Sequence, residues 1–230
     1  MSLDRRTLLK GMALGSLGAP WLASPLAALA GTPPGPGASP SPALAVIGSR
    51  GGDAFVLGAR AALGPALQVR RADPALAILR QLEEAWGAGR PLRVLGLLDD
   101  ATAAPLLDLA RSAGGRIPWL GQHRVQSGHS RHRLLTSRRA DGCAPMFGKQ
   151  LDDCGADFTI IEDRADTARP AFHRSGPDRG NARPGQWAAG IGWLLARMGA
   201  PLGDQPPPLP SGPAIRHGSF VSFLIEPEGA

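Results

Sequence analysis

Three histidines and six arginines fall within residues 116–139, a stretch with no acidic residue. His123, His129 and His132, spaced H-x5-H-x2-H, could converge on a metal or a haem, and the arginines could meet an anion or an acidic partner. The histidine spacing matches no closed metal pattern, and six local positive charges disfavour a cation. With no carboxylate nearby in sequence, nothing would orient an imidazole. The stretch reads as a solvated basic hairpin, available as an interaction face, with no metal.

A second group of polar residues sits where apolar runs stop. Ile47-Gly48-Ser49-Arg50-Gly51-Gly52-Asp53 follows a short apolar run and opens a helical pattern. Free backbone N–H groups and the helix dipole there would favour an anion, with Arg50 adding charge. The glycine spacing is neither G-x-G-x-x-G nor G-x-x-x-x-G-K-[ST], and Asp53 stands where it would cap the helix against a phosphate, so a capped turn is the plainer reading. Asp99-Asp100 closes another run and could hold a hard cation through oxygen ligands. Asp100 or Thr102 capping the helix that Pro105 helps to start accounts for the pair more simply.

Cys143 and Cys154 are the two cysteines. An intact helix between them would hold them about 16 Å apart, beyond the roughly 7 Å that a disulfide spans between Cα atoms. A broken helix would permit the bridge, so a disulfide and separate thiols both stay open, as does a reactive Cys143 at a helix N-terminus. The chain contains no G-x-S-x-G, H-E-x-x-H, C-x-x-C or C-x-x-C-H, which removes the usual signatures of serine hydrolases, zincins, thioredoxins and c-type haem proteins.

The elements that must position these residues follow from periodicity. Strands over 44–48, 67–70, 93–98 and 117–121 alternate with helices over 54–63, 74–87 and 103–113. This predicts an α/β fold: a mainly parallel sheet with helices on both faces, a Rossmann-like three-layer sandwich. Residues 119–137 read as two strands around Gln126-Ser127-Gly128, too short a connection for a parallel crossover, which puts an antiparallel hairpin in the second half. A helix over 144–153 and a strand over 158–162 follow. Residues 163–185, with Arg164, Arg169, Arg174, Arg179 and Arg183 and no apolar period, read as a long loop. A helix over 186–198 carries Trp187, Ile191, Leu194, Leu195 and Met198 on one face. A polyproline-like connector over 205–213 leads to a closing strand over 220–225.

In a parallel sheet, ligands belong at the carboxyl ends of the strands. That collects Ser49, Arg50, Gly51, Gly52, Asp99, Asp100 and His123 into one candidate cleft. Arg71, Asp73, Gln122 and Glu162-Asp163-Arg164 stand at neighbouring strand exits.

A chain of 230 residues with 43% hydrophobic content can bury one sizeable core, which excludes wholesale disorder and a multi-span membrane protein. The net charge is +6 and nearly every base is arginine, lysine occurring only at Lys10 and Lys149. The high pI of about 10.8 reflects arginine's high pKa and does not itself imply nucleic acid.

The N-terminal segment Asp4-Arg5-Arg6-Thr7-Leu8-Leu9-Lys10 precedes an apolar run over 11–30 that ends in Ala28-Leu29-Ala30. It resembles a bacterial twin-arginine (Tat) signal peptide, with Arg5-Arg6, Leu9 and Lys10 matching the usual Ser/Thr-Arg-Arg-x-Phe-Leu-Lys pattern and Asp4 and Leu8 departing from it. Gly11, Gly15, Gly18, Pro20 and Pro25 make the run a poor permanent membrane helix. The resemblance implies a signal over 1–30 recognised by the Tat translocase through Arg5 and Arg6. A Pro/Gly/Ser-rich linker over 31–42 and a single α/β domain over 43–230 follow. Cleavage would leave 22 basic and 18 acidic residues, a net +4.

The Tat route implies a periplasmic location and, by its usual passengers, an association with exported redox enzymes. The expected function is a non-catalytic ligand- or partner-binding protein, accessory to an exported redox system, of unknown cofactor and without nucleic acid or a permanent membrane span. One alternative is a periplasmic enzyme using Asp99, Asp100 or His123 at the strand ends. Another is an interaction module docking through the 186–198 helix.

Overall fold

The computed structural model describes residues 42–72, 75–90, 92–165, 170–176, 186–202, 208 and 215–227. Arg5, Arg6, the Tat-like segment and all of the linker but Pro42 lie outside the described residues, as does nearly all of the proline-rich connector. The described strands are β1 (Ala43–Ile47), β2 (Gln68–Arg71), β3 (Arg93–Asp99), β4 (Gly115–Gln126), β5 (His129–Thr136), β6 (Asp157–Arg164), β7 (Pro170–Ser175) and β8 (Gly218–Pro227). The helices are α1 (Gly52–Leu63), α2 (Ala75–Gly87), α3 (Asp100–Ser112), α4 (Cys143–Asp153) and α5 (Gln186–Arg197).

All eight strands join one sheet in the order β2-β1-β3-β8-β4-β5-β6-β7. Its amino-terminal half follows the expected crossover pattern, with β1 parallel to both β2 and β3. The whole sheet is mixed, not mainly parallel. Three described pairs are parallel and four antiparallel, so the Rossmann-like expectation gives way to a mixed α/β sheet. The cause is the closing strand. β8 inserts between β3 and β4 and runs antiparallel to both, so two strands of the same direction are separated by one reversed neighbour. Apolar patterning identifies β8 as a buried strand, but it carries no information on where that strand inserts.

The expected short strand over 117–121 and the first hairpin strand are one continuous β4. Ser127 and Gly128 both take positive φ, 50° and 87°, as a two-residue hairpin turn requires. The arginine-rich loop expected over 163–185 contains β7, antiparallel to β6. β7 is an edge strand with only Phe172 partly covered; backbone pairing sustains it and no apolar alternation advertises it.

Helices cover both faces. α1, α4 and α5 enclose one core with Ile47, Leu97, Trp119, Leu134, Phe158 and Leu224. α2 and α3 enclose a smaller one with Val46, Leu98, Phe223 and Ile225. α5 lies almost entirely in the core, with Trp187, Ile191, Leu194 and Leu195 all buried, so it does not offer the apolar docking face considered above. The C-terminal end of α5 is fixed by Arg93, whose Nη2 donates to the Leu195 and Met198 carbonyls at 3.3 and 3.0 Å. Arg93 and Arg139 together bracket the buried Glu226 carboxylate. No helix among the described residues is long and apolar enough to cross a membrane.

Candidate functional site

On their face α2 and α3 cover β1, β3, β8 and the start of β4, with Ile117 and Leu120 packed against their core. Among the described residues, that cluster does not extend over the rest of β4, β5 and β6. Strict alternation sets the chemistry there: on β4 and β5, Gln122, Arg124, Arg131 and Arg133 are exposed, while His123, Val125, Ser130, His132 and Leu134 between them are buried. Register then assembles the site. Arg124 stands directly opposite Arg131, Gln122 opposite Arg133, and Arg131 is paired in turn with Thr159 of β6. Across β8, Ser219 pairs with Arg124.

These residues line an open cavity of about 470 Å³, with Ile161 and Val221 as its apolar part and Asp100 at its edge. That size suits a small molecule. Arg133 pairs with Asp163 at 3.0 Å, whereas Arg124 and Arg131 have no carboxylate or hydrogen-bonding partner among the described residues. Like charges directly opposite each other on a sheet are unfavourable, so the pair is a standing electrostatic cost that an anion would relieve.

At the amino end of β5 the face carries a second feature. His129 Nδ1 lies 2.7 Å from Asp157 Oδ1, directly across from it on β6, and His129 Nε2 lies 3.4 Å from Thr159 Oγ1. The carboxylate that the local sequence lacked is supplied by a strand 28 residues away, correcting the expectation that no imidazole here is oriented by an acid.

The other two histidines point through to the opposite side. His123 Nδ1 and His132 Nδ1 are 2.8 Å apart, His123 Nε2 is 2.7 Å from Ser222 Oγ, and His132 Nε2 is 2.9 Å from Ser130 Oγ. Trp187 lies against both rings and Phe147 meets His132 edge-on. Burial pushes His123 down to about 3 and His132 well below its ordinary value, so both rings are neutral at ordinary pH. The hairpin is thus solvated on one face only. His123 is not at a strand end, because β4 continues to Gln126.

The sequence-selected cleft separates into several places. Ser49, Arg50 and Gly51 border a different cavity of about 340 Å³ with Arg216 and His217. There Gly51 is the N-cap of α1, at φ 74° and without a side-chain cap, and Gly52 packs against Ile47. Asp53 does not cap the helix; it pairs with Arg71 at 3.3 Å. Arg50 lies over the Phe220 ring. Asp99, one residue earlier than expected, is the cap of α3, accepting from Thr102 N at 3.0 Å and Thr102 Oγ1 at 2.9 Å. Asp100, the first residue of α3, borders the arginine-lined cavity together with His123, whose ring is buried on the other side against Trp187. Glu162, Asp163 and Arg164 lie toward the opposite end of the sheet, since β6 runs with β5 and against β4.

A further depression of about 560 Å³ adjoins Cys143. Burial, reinforced by the Glu162 and Asp141 charges, pushes that thiol up to about 12, which leaves no appreciable thiolate and removes the reactive-cysteine option. α4 runs unbroken from Cys143 to Asp153, and no disulfide joins Cys143 to Cys154.

Arg124, Arg131, Arg133, Asp157, Thr159 and Ser219 were not singled out by sequence reasoning. The two-residue alternation Gln122-x-Arg124 and Arg131-x-Arg133 placed the first three on one face; the β6 and β8 contributions had no sequence signal. Comparison with known protein families, curated proteins and solved structures finds no match to this chain.

Proposed function

We propose that this protein binds a small anionic ligand, a carboxylate or phosphate compound, on the open face of β4–β5–β6. The observation that carries the reading is the juxtaposition of Arg124 and Arg131 without a described acidic partner, inside a cavity of ligand size. Gln122, Thr159 and Ser219 supply neutral hydrogen-bonding groups around them, and Ile161 and Val221 an apolar contact. The reading makes specific the expected ligand-binding role and moves its site from the strand ends to the sheet face. Arg5-Arg6 and the apolar run after them support export by the Tat route to the periplasm, and through it an accessory role beside exported redox enzymes.

Titration with succinate and with inorganic phosphate tests the site. Hydrogen bonds to charged groups contribute about 1.5–3 kcal/mol, so Arg124→Gln or Arg131→Gln weakens binding by about tenfold or more. Ser49→Ala, at the separate cavity, leaves it unchanged. Failure of both anions to bind, or equal affinity in the Arg124→Gln/Arg131→Gln double variant, defeats the reading.

A further inference from the structure

The geometry points to an ester-hydrolysing centre at the edge of this cavity, with Thr159 as nucleophile, His129 as general base and acid, and Asp157 as the residue that positions His129. The inference rests on the anion-binding reading for its substrate class, an ester that also carries a carboxylate or phosphate.

Three observations meet here. Asp157 Oδ1 at 2.7 Å from His129 Nδ1 makes Nδ1 the proton-bearing nitrogen, because an ionised carboxylate only accepts. That leaves the lone pair on Nε2, and the Thr159 hydroxyl, 3.4 Å away, donates toward it. The spacing is looser than a closed hydrogen bond in a working complex, as catalytic contacts are before substrate tightens them. Third, Thr159 opens into the cavity beside Arg131, its register partner, so a guanidinium stands next to where an oxyanion would form. Hydroxyl, imidazole and carboxylate in this relation are recognised by geometry and not by order along the chain. All three side chains share the outer face because residues 129, 157 and 159 are in phase across the β5–β6 pairing.

The reaction balances with water as the second reactant. Thr159 Oγ bonds to the ester carbonyl carbon as its proton passes to His129 Nε2, and Arg131 donates to the developing oxyanion. The carbon–oxygen bond to the alcohol breaks, and the alcohol leaves with the proton from Nε2. Water then attacks the acyl-threonine, gives a proton to Nε2, and releases the carboxylic acid with the Thr159 hydroxyl restored. Arg124 holds the remote anionic group.

The full chain, purified with its wild-type cavity, is assayed with mono-(4-nitrophenyl) succinate by release of nitrophenolate, and intact mass is recorded for an acyl adduct. Turnover with an adduct that disappears in Thr159→Val is the expected result, with Thr159→Ser active. Asp157→Asn lowers kcat by about 100-fold or more with KM little changed, and Asp157→Glu recovers part of it, which a merely structural role would not produce. Succinate binding to the wild-type protein is measured separately by titration. Succinate binding without hydrolysis overturns the catalytic inference alone. Hydrolysis undiminished in Thr159→Val also overturns it, and absence of both binding and turnover overturns the site as a whole.

Discussion

The buried polar groups behind the arginine face form one chain with a fixed direction. Trp119 Nε1 can only donate, and it reaches Ser222 Oγ at 2.9 Å. At the other end Ser130 Oγ donates to the Asp157 carbonyl at 3.4 Å, which can only accept. Satisfying every member between them requires Ser222 to donate to His123 Nε2, His123 Nδ1–H to donate to His132 Nδ1, and His132 Nε2–H to donate to Ser130. Adding a proton to either ring breaks this pattern and places a charge in the core. NMR at pH 5 should therefore show both rings neutral, protonated at Nδ1 in His123 and at Nε2 in His132. In the unfolded chain both would titrate near 6.5. Their folded values are depressed by burial, so they do not oppose folding above that pH, and they destabilise it increasingly as pH falls below 6.5, because the unfolded chain then takes up protons that the folded protein does not. Comparing urea stability at several pH values with that of a His123→Phe/His132→Leu variant checks it. Equal slopes, or a cationic ring at pH 5, would contradict the assignment. Only the pairing of His123 with His132 across β4 and β5 could reveal this chain; sequence spacing alone makes the three histidines look equivalent.

Among elements, α1 and α5 make the closest helix packing. Gly58 faces the Ala189 carbonyl and Gly192 faces the Phe55 carbonyl, each so near that an added Cβ would fall onto backbone that cannot rotate away. The two glycines let the helix backbones touch, and α5 in turn seats Trp187 over the histidine pair. Gly58→Ala and Gly192→Ala should each destabilise the protein by about 2–3 kcal/mol or more, as overpacking does. Gly87→Ala is the control: it lies exposed in α2 with open space around it, and alanine there should be neutral or stabilising by up to about 1 kcal/mol. Thermal melts of the three variants separate close approach from general glycine effects. The period of α5 was readable from Trp187, Ile191 and Leu194. That its small residues, Ala189 and Gly192, face α1 was not, because a second buried face looks in sequence like mere apolarity.

For the molecule as a whole, the Tat resemblance makes a prediction independent of the cavity. Replacing Arg5 and Arg6 by lysine should abolish periplasmic accumulation in cells with a working Tat system. Fractionation should find the wild-type protein outside the cytoplasm, with its mass fixing any cut after Ala30. Cytoplasmic retention of the wild type would defeat the reading. The sequence by itself determined the helices, the parallel β1–β2–β3 unit, the hairpin turn at Ser127-Gly128 and the concentration of arginine in residues 116–139, all encoded within short windows of periodicity, turn chemistry and charge. Only the tertiary structure decided that β8 enters between β3 and β4, that Arg124 faces Arg131 with both side chains exposed, and that Asp157 and Thr159 join His129. Those relations depend on strand order and register. They are set by how distant apolar faces bury each other, and no local pattern records them.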